Sequence, residues 1–433
     1  MPRIGSRRHF FALAARTAAL PALTALAGRM EALAQVPAQN IAAVEFWRYE
    51  GTREAAVGAN RQFQVQPSHI YDELRPAPYR EGEPVTRRIP AAATYLKIRT
   101  QSGLEGIYGP IDPEVPAVVD RQLKGLLMGK NALAVETLWD MMYRNNRHSR
   151  AGHYMMALSA VDNCLWDLRG RYYNTPVYRL LGGPTRPAIQ AYGSCLGFSV
   201  EPEPAKVVSA RLKREGFLHQ KWFIPYGPGS GAEGMAKNVD LVANLRSAAG
   251  DDVDLMFDAF QGWSLDYAIA WCKRVEKYAP RWIEEAFPME RLQSFVDLRR
   301  ATSVPVATGE HMYGRWEAHE FLRAGAISVV QADPEWCGGV TELVKICAIA
   351  SLYDAQVIPH GHAVHSALHV VASQSPSTCP LVEYLITSRP AYYHFEKNPP
   401  VPANGKIALT ERPGFGAEID DAKAEKKTQL KFG

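Results

Sequence analysis

The sequence predicts an α/β barrel of eight strands preceded by a separate α+β domain. Three observations carry this reading. Six short apolar runs in the second half, DLMFD, RWIEE, VPVATGE, ISVVQAD, AQVIPH and PLVEY, place a residue able to bind a metal or move a proton at or near their ends: Asp258, Glu284, Glu310, Asp333, His360 and Glu383. The six follow one another at intervals of 26, 26, 23, 27 and 23 residues, enough for a strand, a helix and their loops. Between them lie amphipathic stretches such as 265–278, where Leu265, Ala268, Ile269, Cys272 and Val275 share one helical face. Parallel strands joined by right-handed crossovers all point the same way, so these side chains converge on one end of a closed barrel, where barrel enzymes build their active sites.

The remaining elements follow in order. Residues 1–34 carry Ser6-Arg7-Arg8-His9-Phe10-Phe11 ahead of an Ala/Leu-rich stretch ending in Ala32-Leu33-Ala34. This resembles a twin-arginine export signal cleaved before Gln35, which implies a periplasmic or extracellular location. Residues 35–187 form the α+β domain, with early strands at 41–49 and 93–99 and helical spacing near Pro116 and over 135–143. The Pro-, Arg- and Tyr-rich stretch 66–90 has no period and reads as a loop. A long helix spans 154–171, with Met155, Leu158, Val161, Leu165 and Leu168 at i, i+3 or i+4 spacing, and Leu181-Gly182-Gly183-Pro184 closes the domain. Strands at 189–192 and 219–224 complete the eight, giving a barrel over 188–384. The tail 385–433 has no room for another unit and is expected to pack back on the first domain.

Composition excludes several classes. Hydrophobic residues make up 47% of the 433 and charged residues 22%, an ordinary globular balance with substantial cores for two domains. The first 34 residues hold five arginines against one acid, so the remainder carries 44 basic and 44 acidic side chains out of the total 49 and 45. That neutrality, without a basic cluster, argues against nucleic acid as a partner. Beyond residue 34 no apolar run approaches the roughly 20 residues of a membrane span. The six cysteines are scattered without CxxC or zinc-type spacing and are expected to be buried thiols, not disulfides.

The motifs Ala157-Leu158-Ser159-Ala160-Val161-Asp162 with Leu165-Trp166-Asp167, then Asp258, Trp282-Ile283-Glu284-Glu285, Gly309-Glu310, Asp333 with Gly338-Gly339, His360, Glu383 and Pro413-Gly414-Phe415-Gly416, occur in an order and spacing that resemble the mandelate racemase subgroup of the enolase superfamily. The resemblance covers nearly the whole chain beyond residue 34. It implies a TIM-type (β/α)7β barrel with an α+β capping domain formed by the N-terminal region and the C-terminal tail. It also implies one Mg²⁺ held by Asp258, Glu284 and Glu310, and a small-molecule carboxylate substrate whose α-proton is removed by a histidine or lysine base. A homo-oligomer is expected by the same analogy.

Residue chemistry agrees with these roles. Three hard carboxylates at successive strand ends have little reason to gather unless a divalent cation neutralises them, and oxygen-only ligation favours Mg²⁺. Spacing selects Glu284, with Glu285 as a competitor. Asp333 beside His360 can fix the imidazole tautomer and raise its basicity, making His360 a general base. His362, His365 and His369 lack strand-end placement and read as packing or surface residues. Glu383 resembles the family residue that hydrogen-bonds the substrate carboxylate as it gains enolate character, which requires it to be protonated or to share a proton.

One departure bears on the reaction. Racemases of the subgroup commonly place Lys-x-Lys at the end of the second barrel strand; here Lys221 keeps the first position and Phe223 takes the second. Inversion at carbon calls for an acid/base on each face, whereas loss of water can proceed with His360 alone. Lys221 could still reach the substrate or act as a base, or simply pair with a neighbouring carboxylate. The loop Pro225-Tyr226-Gly227-Pro228-Gly229 is similar to that of sugar-acid dehydratases such as those acting on rhamnonate. The sequence thus favours a dehydratase of an aldonate-like acid, with a racemase or epimerase and a non-catalytic exported binding protein as the alternatives. His69, Tyr71, Arg75, Tyr79 and Arg80 could reach over the barrel mouth to distal hydroxyls or a second carboxylate.

Overall fold

The computed structural model describes residues 39–57, 64–76 and 85–432. Segment 1–34, expected to be an export signal, lies outside them, as do Tyr79 and Arg80. The chain alternates strand and helix through β4 (Ala188–Ser194), α3 (Pro202–Arg214), β5 (His219–Phe223), α4 (Gly231–Ala249), β6 (Asp254–Asp258), α5 (Leu265–Val275), β7 (Trp282–Glu284) and α6 (Leu292–Ala301). It continues through β8 (Val306–Thr308), α7 (Arg315–Arg323), β9 (Val329–Val330), α8 (Gly339–Ser351), β10 (Gln356–Val357), α9 (Val364–Ser373) and β11 (Leu381–Leu385). Each strand pairs in parallel with its predecessor from β4 to β10, and β11 pairs in parallel with β4. The eighth strand thus returns beside the first in a (β/α)7β barrel.

Strand alternation divides the barrel side chains into two sets. In β6, Leu255 and Phe257 face the helices, whereas Met256 joins Tyr192, Trp282, Ala307, Val329, Ile358 and Leu381 in an apolar plug inside the barrel. Two residues further along, the same inward face presents Asp258 after Met256, Glu284 after Trp282 and Glu383 after Leu381. The functional layer therefore rests on a packed apolar layer, and its height along each strand is set by the pleat.

The capping domain is a four-stranded antiparallel sheet in the order β13-β1-β2-β3, with β1 Ile41–Val57, β2 Val85–Thr100, β3 Glu105–Tyr108 and β13 Lys426–Leu430, together with α1 (Val135–Asn145) and α2 (Gly152–Tyr172). The expected packing of the tail is seen in β13, where Phe46 stands opposite Leu430. The tail also adds β12 (Lys406–Ala408) antiparallel to β4, which the sequence did not suggest. The loop expected over 66–90 is corrected at its end. Residues 85–90 belong to β2, held in continuous register against β1, with Pro90 opposite Thr52 beyond the reach of β3. Among the described residues no helix is long and apolar enough to cross a membrane. All six cysteines are buried, and the Sγ atoms of Cys347 and Cys379 lie 3.6 Å apart.

The buried helix α2 joins cap to barrel by capping α8 from outside its own chain segment. The first turn of a helix leaves N–H groups unpaired. Here Ser159 Oγ accepts from Gly338 N (2.9 Å), Asn163 Oδ1 from Val340 N (3.0 Å) and Asp162 Oδ2 from Thr341 N (2.9 Å), while Asn163 Nδ2 donates to Pro334 O (2.9 Å). Gly339 is required for this contact. Its φ is +82°, and a Cβ there would stand 2.3 Å from Asp162 Oδ2. Gly339→Ala should therefore destabilise the protein by about 3 kcal/mol in urea unfolding. Burial pushes the Asp162 carboxyl up to about 7 despite its bonds from Thr341. The stability contributed by the neutral acid is complete below the unfolded value near pH 4 and is lost as pH rises through about 7. Asp162→Asn, which cannot ionise, should not show that decline when unfolding is measured across the window.

Candidate active site

The strand ends bring Asp258, Glu284 and Glu310 together, each buried, with one oxygen from each within 4.8 Å of the others. Glu285, Glu310 and His311 form a second such group beside the first. The backbone turns at Glu285, whose φ of +46° is rare for a side-chain-bearing residue, so consecutive glutamates address opposite sides of Glu310. Burial pushes Asp258 and Glu284 upward, and neighbouring carboxylates add to the shift against the opposing pull of Lys221. Burial, then Glu310, likewise holds Glu285 well above the usual carboxylate range. Such oxygens become good anions only when a cation enters, and the donor set fits a divalent ion with oxygen preference.

Lys221 lies at the centre of this layer. Its Nζ is 2.5 Å from Glu284 Oε1, 2.9 Å from Glu383 Oε1 and 3.2 Å from Asp258 Oδ2, with the Phe223 ring 5.2 Å away. Burial alone would push the ammonium down, but Glu284 and Glu383 outweigh it and hold it well above its usual value. Burial pushes Glu383 up, and here Lys221 and His360 prevail and lower it. Glu383 is thus a carboxylate ion-paired with the Lys221 ammonium at 2.9 Å, and its Oε2 accepts from Gly361 N at 2.8 Å.

His360 Nδ1 is 2.9 Å from Asp333 Oδ2, and Nε2 is 3.7 Å from Glu310 Oε2. Asp333 Oδ2 also accepts from His362 N (3.1 Å) and its Oδ1 from Glu335 N (2.7 Å), so the carboxylate is itself fixed. The nitrogen left free on His360 faces the acidic cluster. Burial would lower this imidazole, yet Glu310 and the Asp333 hydrogen bond outweigh burial and raise it to about 10.

Several residues were missed by the sequence reading. Trp336 stacks on His311 (5.3 Å between centroids) and His360 (5.0 Å) and lies 5.1 Å from His362. His362, read as a packing residue, stands beside His360 with Nδ1 2.9 Å from Glu335 Oε2. The signal was present as Asp333-x-Glu335 and His360-x-His362, two matched i, i+2 pairs. His365 and His369 do pack in the interior. His365 Nε2 meets Glu396 at 2.7 Å, and His369 Nδ1 accepts from Tyr178 N at 3.1 Å.

The loop candidates need correction. Segment 64–76 sits on the loop after β5, tied by Val65 N to Ile224 O at 2.8 Å. Arg75 donates to His69 O (2.7 Å), pairs with Asp72 (2.9 Å) and crowds Gly229; His69 Nδ1 accepts from Gln66 N, and Tyr71 is exposed. Local turn bonding occupies His69 and Arg75, and among the described residues nothing links His69, Tyr71 or Arg75 to the carboxylate cluster.

Comparison with known proteins agrees with this architecture. Residues 84–182 match the mandelate racemase/muconate lactonizing enzyme N-terminal domain, and residues 204–423 match the enolase C-terminal domain-like family. The chain belongs to the mandelate racemase/muconate lactonizing enzyme group of the enolase superfamily. It is 33% identical to the L-rhamnonate dehydratase of Saccharopolyspora erythraea over 75% of this chain and 82% of that one. The L-rhamnonate dehydratase of Gibberella zeae superposes with a TM-score of 0.75 at 26% identity, covering 90% of this chain and 96% of the other, and that enzyme has also been solved in complex with Mg. The 3,6-anhydro-D-galactonate cycloisomerase of Zobellia galactanivorans gives a TM-score of 0.70 at 26% identity over 89% and 100% of the two chains.

Cation titration by calorimetry separates the two acidic groups. Asp258→Asn, Glu284→Gln or Glu310→Gln should weaken Mg²⁺ binding by about 100-fold, and Glu285→Gln by about tenfold or less. Equal losses at Glu284 and Glu285 would reassign the ligand set.

Proposed function

We propose that this chain is a Mg²⁺-dependent acid-sugar dehydratase that converts an aldonate-like acid to a 2-keto-3-deoxy acid. The observation that carries the reading is the His360–Asp333 pair at 2.9 Å, which leaves the free imidazole nitrogen over the carboxylate cluster while Phe223 occupies the position where a second base would stand. Identity to L-rhamnonate dehydratase over most of both chains supports the substrate class.

Asp258, Glu284 and Glu310 would hold Mg²⁺, which when bound polarises the substrate carboxylate and stabilises negative charge there. A proton next to a carboxylate is far less acidic than an imidazolium, whose ordinary pKa is about 6.5, so fixed electrostatic help is needed for its removal. With a cation on the carboxylates, the Glu310 charge that does most to raise His360 would be cancelled, leaving a neutral imidazole whose Nε2 takes the proton from carbon 2 while Asp333 steadies the imidazolium that forms. Lys221, ion-paired with Glu383, supplies a hydrogen-bond donor at the substrate carboxylate as charge moves onto its oxygens. The imidazolium returns its proton to the hydroxyl on carbon 3, which leaves as water when that C–O bond breaks. The resulting enol tautomerises to the ketone.

Incubation with L-rhamnonate and related aldonates in Mg²⁺ should produce keto acid detectable with semicarbazide. His360→Asn should lower kcat by about 10³-fold, and chelation with EDTA should abolish turnover. In D₂O, exchange at carbon 2 with inversion and no keto acid would instead indicate a racemase or epimerase using Lys221 opposite His360. Binding with neither exchange nor turnover would indicate a non-catalytic binding protein.

A further inference from the structure

Beside the proposed base stands a second imidazole–carboxylate pair that the dehydration chemistry does not use. Glu335 is buried and fixes His362 Nδ1 at 2.9 Å, as Asp333 fixes His360. The two rings are nearly parallel (10°), with centroids 6.4 Å apart, and both lie against Trp336. The His362 Nε2 side faces Asp112 of the capping domain, whose Oδ1 is 3.7 Å away. Neither ring is sealed in, since the His360 side chain keeps 12% of its surface exposed and that of His362 18%. Tyr392 packs against His362, with centroids 5.1 Å apart, and also lines a cleft of 780 Å³ between the β1–β2 hairpin and the barrel mouth, with Arg53, Phe198 and Arg389 among its walls.

We infer that His362, held by Glu335 and facing Asp112, binds a hydroxyl at the far end of the substrate, so that the enzyme takes mono-acid sugars and discriminates against di-acids. The inference rests on the dehydratase reading and adds the substrate's distal chemistry to it. The ring spacing corresponds to several carbon–carbon bonds of an extended chain, so a substrate with carbon 2 at His360 brings its distal carbons to His362. A hydroxyl can accept from Nε2–H and donate to Asp112 at once, which satisfies both groups. A carboxylate there would meet Asp112 as a like charge with no proton to offer. Burial would lower the His362 imidazole, but Glu335 outweighs it and raises the group, which favours the form with Nε2–H as donor. The remaining Glu335 oxygen is buried with no hydrogen-bond partner. The nearby Arg389 guanidinium is engaged by the backbone and an aromatic face, donating to His362 O at 2.6 Å and lying 4.1 Å from the Tyr392 ring centroid.

Binding measured without turnover tests this independently of the reaction. In the His360→Asn protein with Mg²⁺, calorimetry should show a six-carbon aldonate binding about tenfold tighter than the matching aldarate. Adding His362→Gln should weaken the aldonate by about tenfold and leave glycerate, which carries only the reacting carbons, unchanged. Glu335→Gln should act in the same direction and guards against misfolding of the first variant. An aldarate that binds as tightly as the aldonate, or equal losses for aldonate and glycerate, overturns the inference. Failure of the dehydratase reading would appear separately, as absence of keto acid from the wild-type protein.

Discussion

Confinement of negative charge at one end of the barrel governs this structure. Asp258, Glu284, Glu285, Glu310, Asp333 and Glu383 are all buried there, where ionised carboxylates are costly unless neutralised. The chain answers with an ammonium and two imidazoles. Lys221 bridges three carboxylates from the second strand, while His360 and His311 approach Glu310 from the other side. Burial raises Asp258 and Glu284 and leaves them poised for a metal ion, so their stability cost becomes affinity when a cation binds. The same field holds Glu383 as an anion beside Lys221 and raises the basicity of His360. The carboxylate triad, the Lys221–Glu383 pair and the His360–Asp333 pair thus belong to one electrostatic arrangement.

Such an arrangement demands a rigid frame. Below it the apolar plug of Met256, Trp282, Leu381 and their neighbours fixes the height of each inward residue. Beside it α2 of the cap satisfies the first turn of α8 and binds Pro334 O, immediately after Asp333. The carboxylate that orients the base is therefore held by its own strand on one side and by the capping domain on the other. Coupling of cap docking to Asp333 gives a physical reason for the two domains to be one folded unit at the site.

The loops after β9 and β10 carry a second imidazole–carboxylate pair. Glu335 and His362 follow Asp333 and His360 by two residues, and Trp336 lies against both imidazoles. Asp112, from the cap, closes this second pair. Two imidazole–carboxylate pairs thus occupy adjacent positions after the same two strands, with the cap closing the second.

Much of this was legible in the linear chain. Near-constant spacing of strand-end carboxylates and His360 determined the barrel, the metal triad and the Asp333–His360 pair, because β/α repeats translate regular spacing into convergence. The same spacing placed Glu383 at the end of its strand, and the apolar face of 265–275 marked its helix. Other features depend on contacts between distant segments, which local pattern does not encode. Val85–Pro90 became strand only because β1 offers a continuous partner, β12 only because β4 pairs with β5 no earlier than Gly193 and leaves Ala188–Gln190 open, and the 64–76 segment closed on itself with local bonds while resting on the loop after β5. His362 looked like packing until Glu335, Trp336 and Asp112 met around it. Lys221 could be placed on its strand by sequence, but its pairing with three carboxylates required the closed barrel, since charges separated by up to 162 residues become neighbours only when the eighth strand lies against the first.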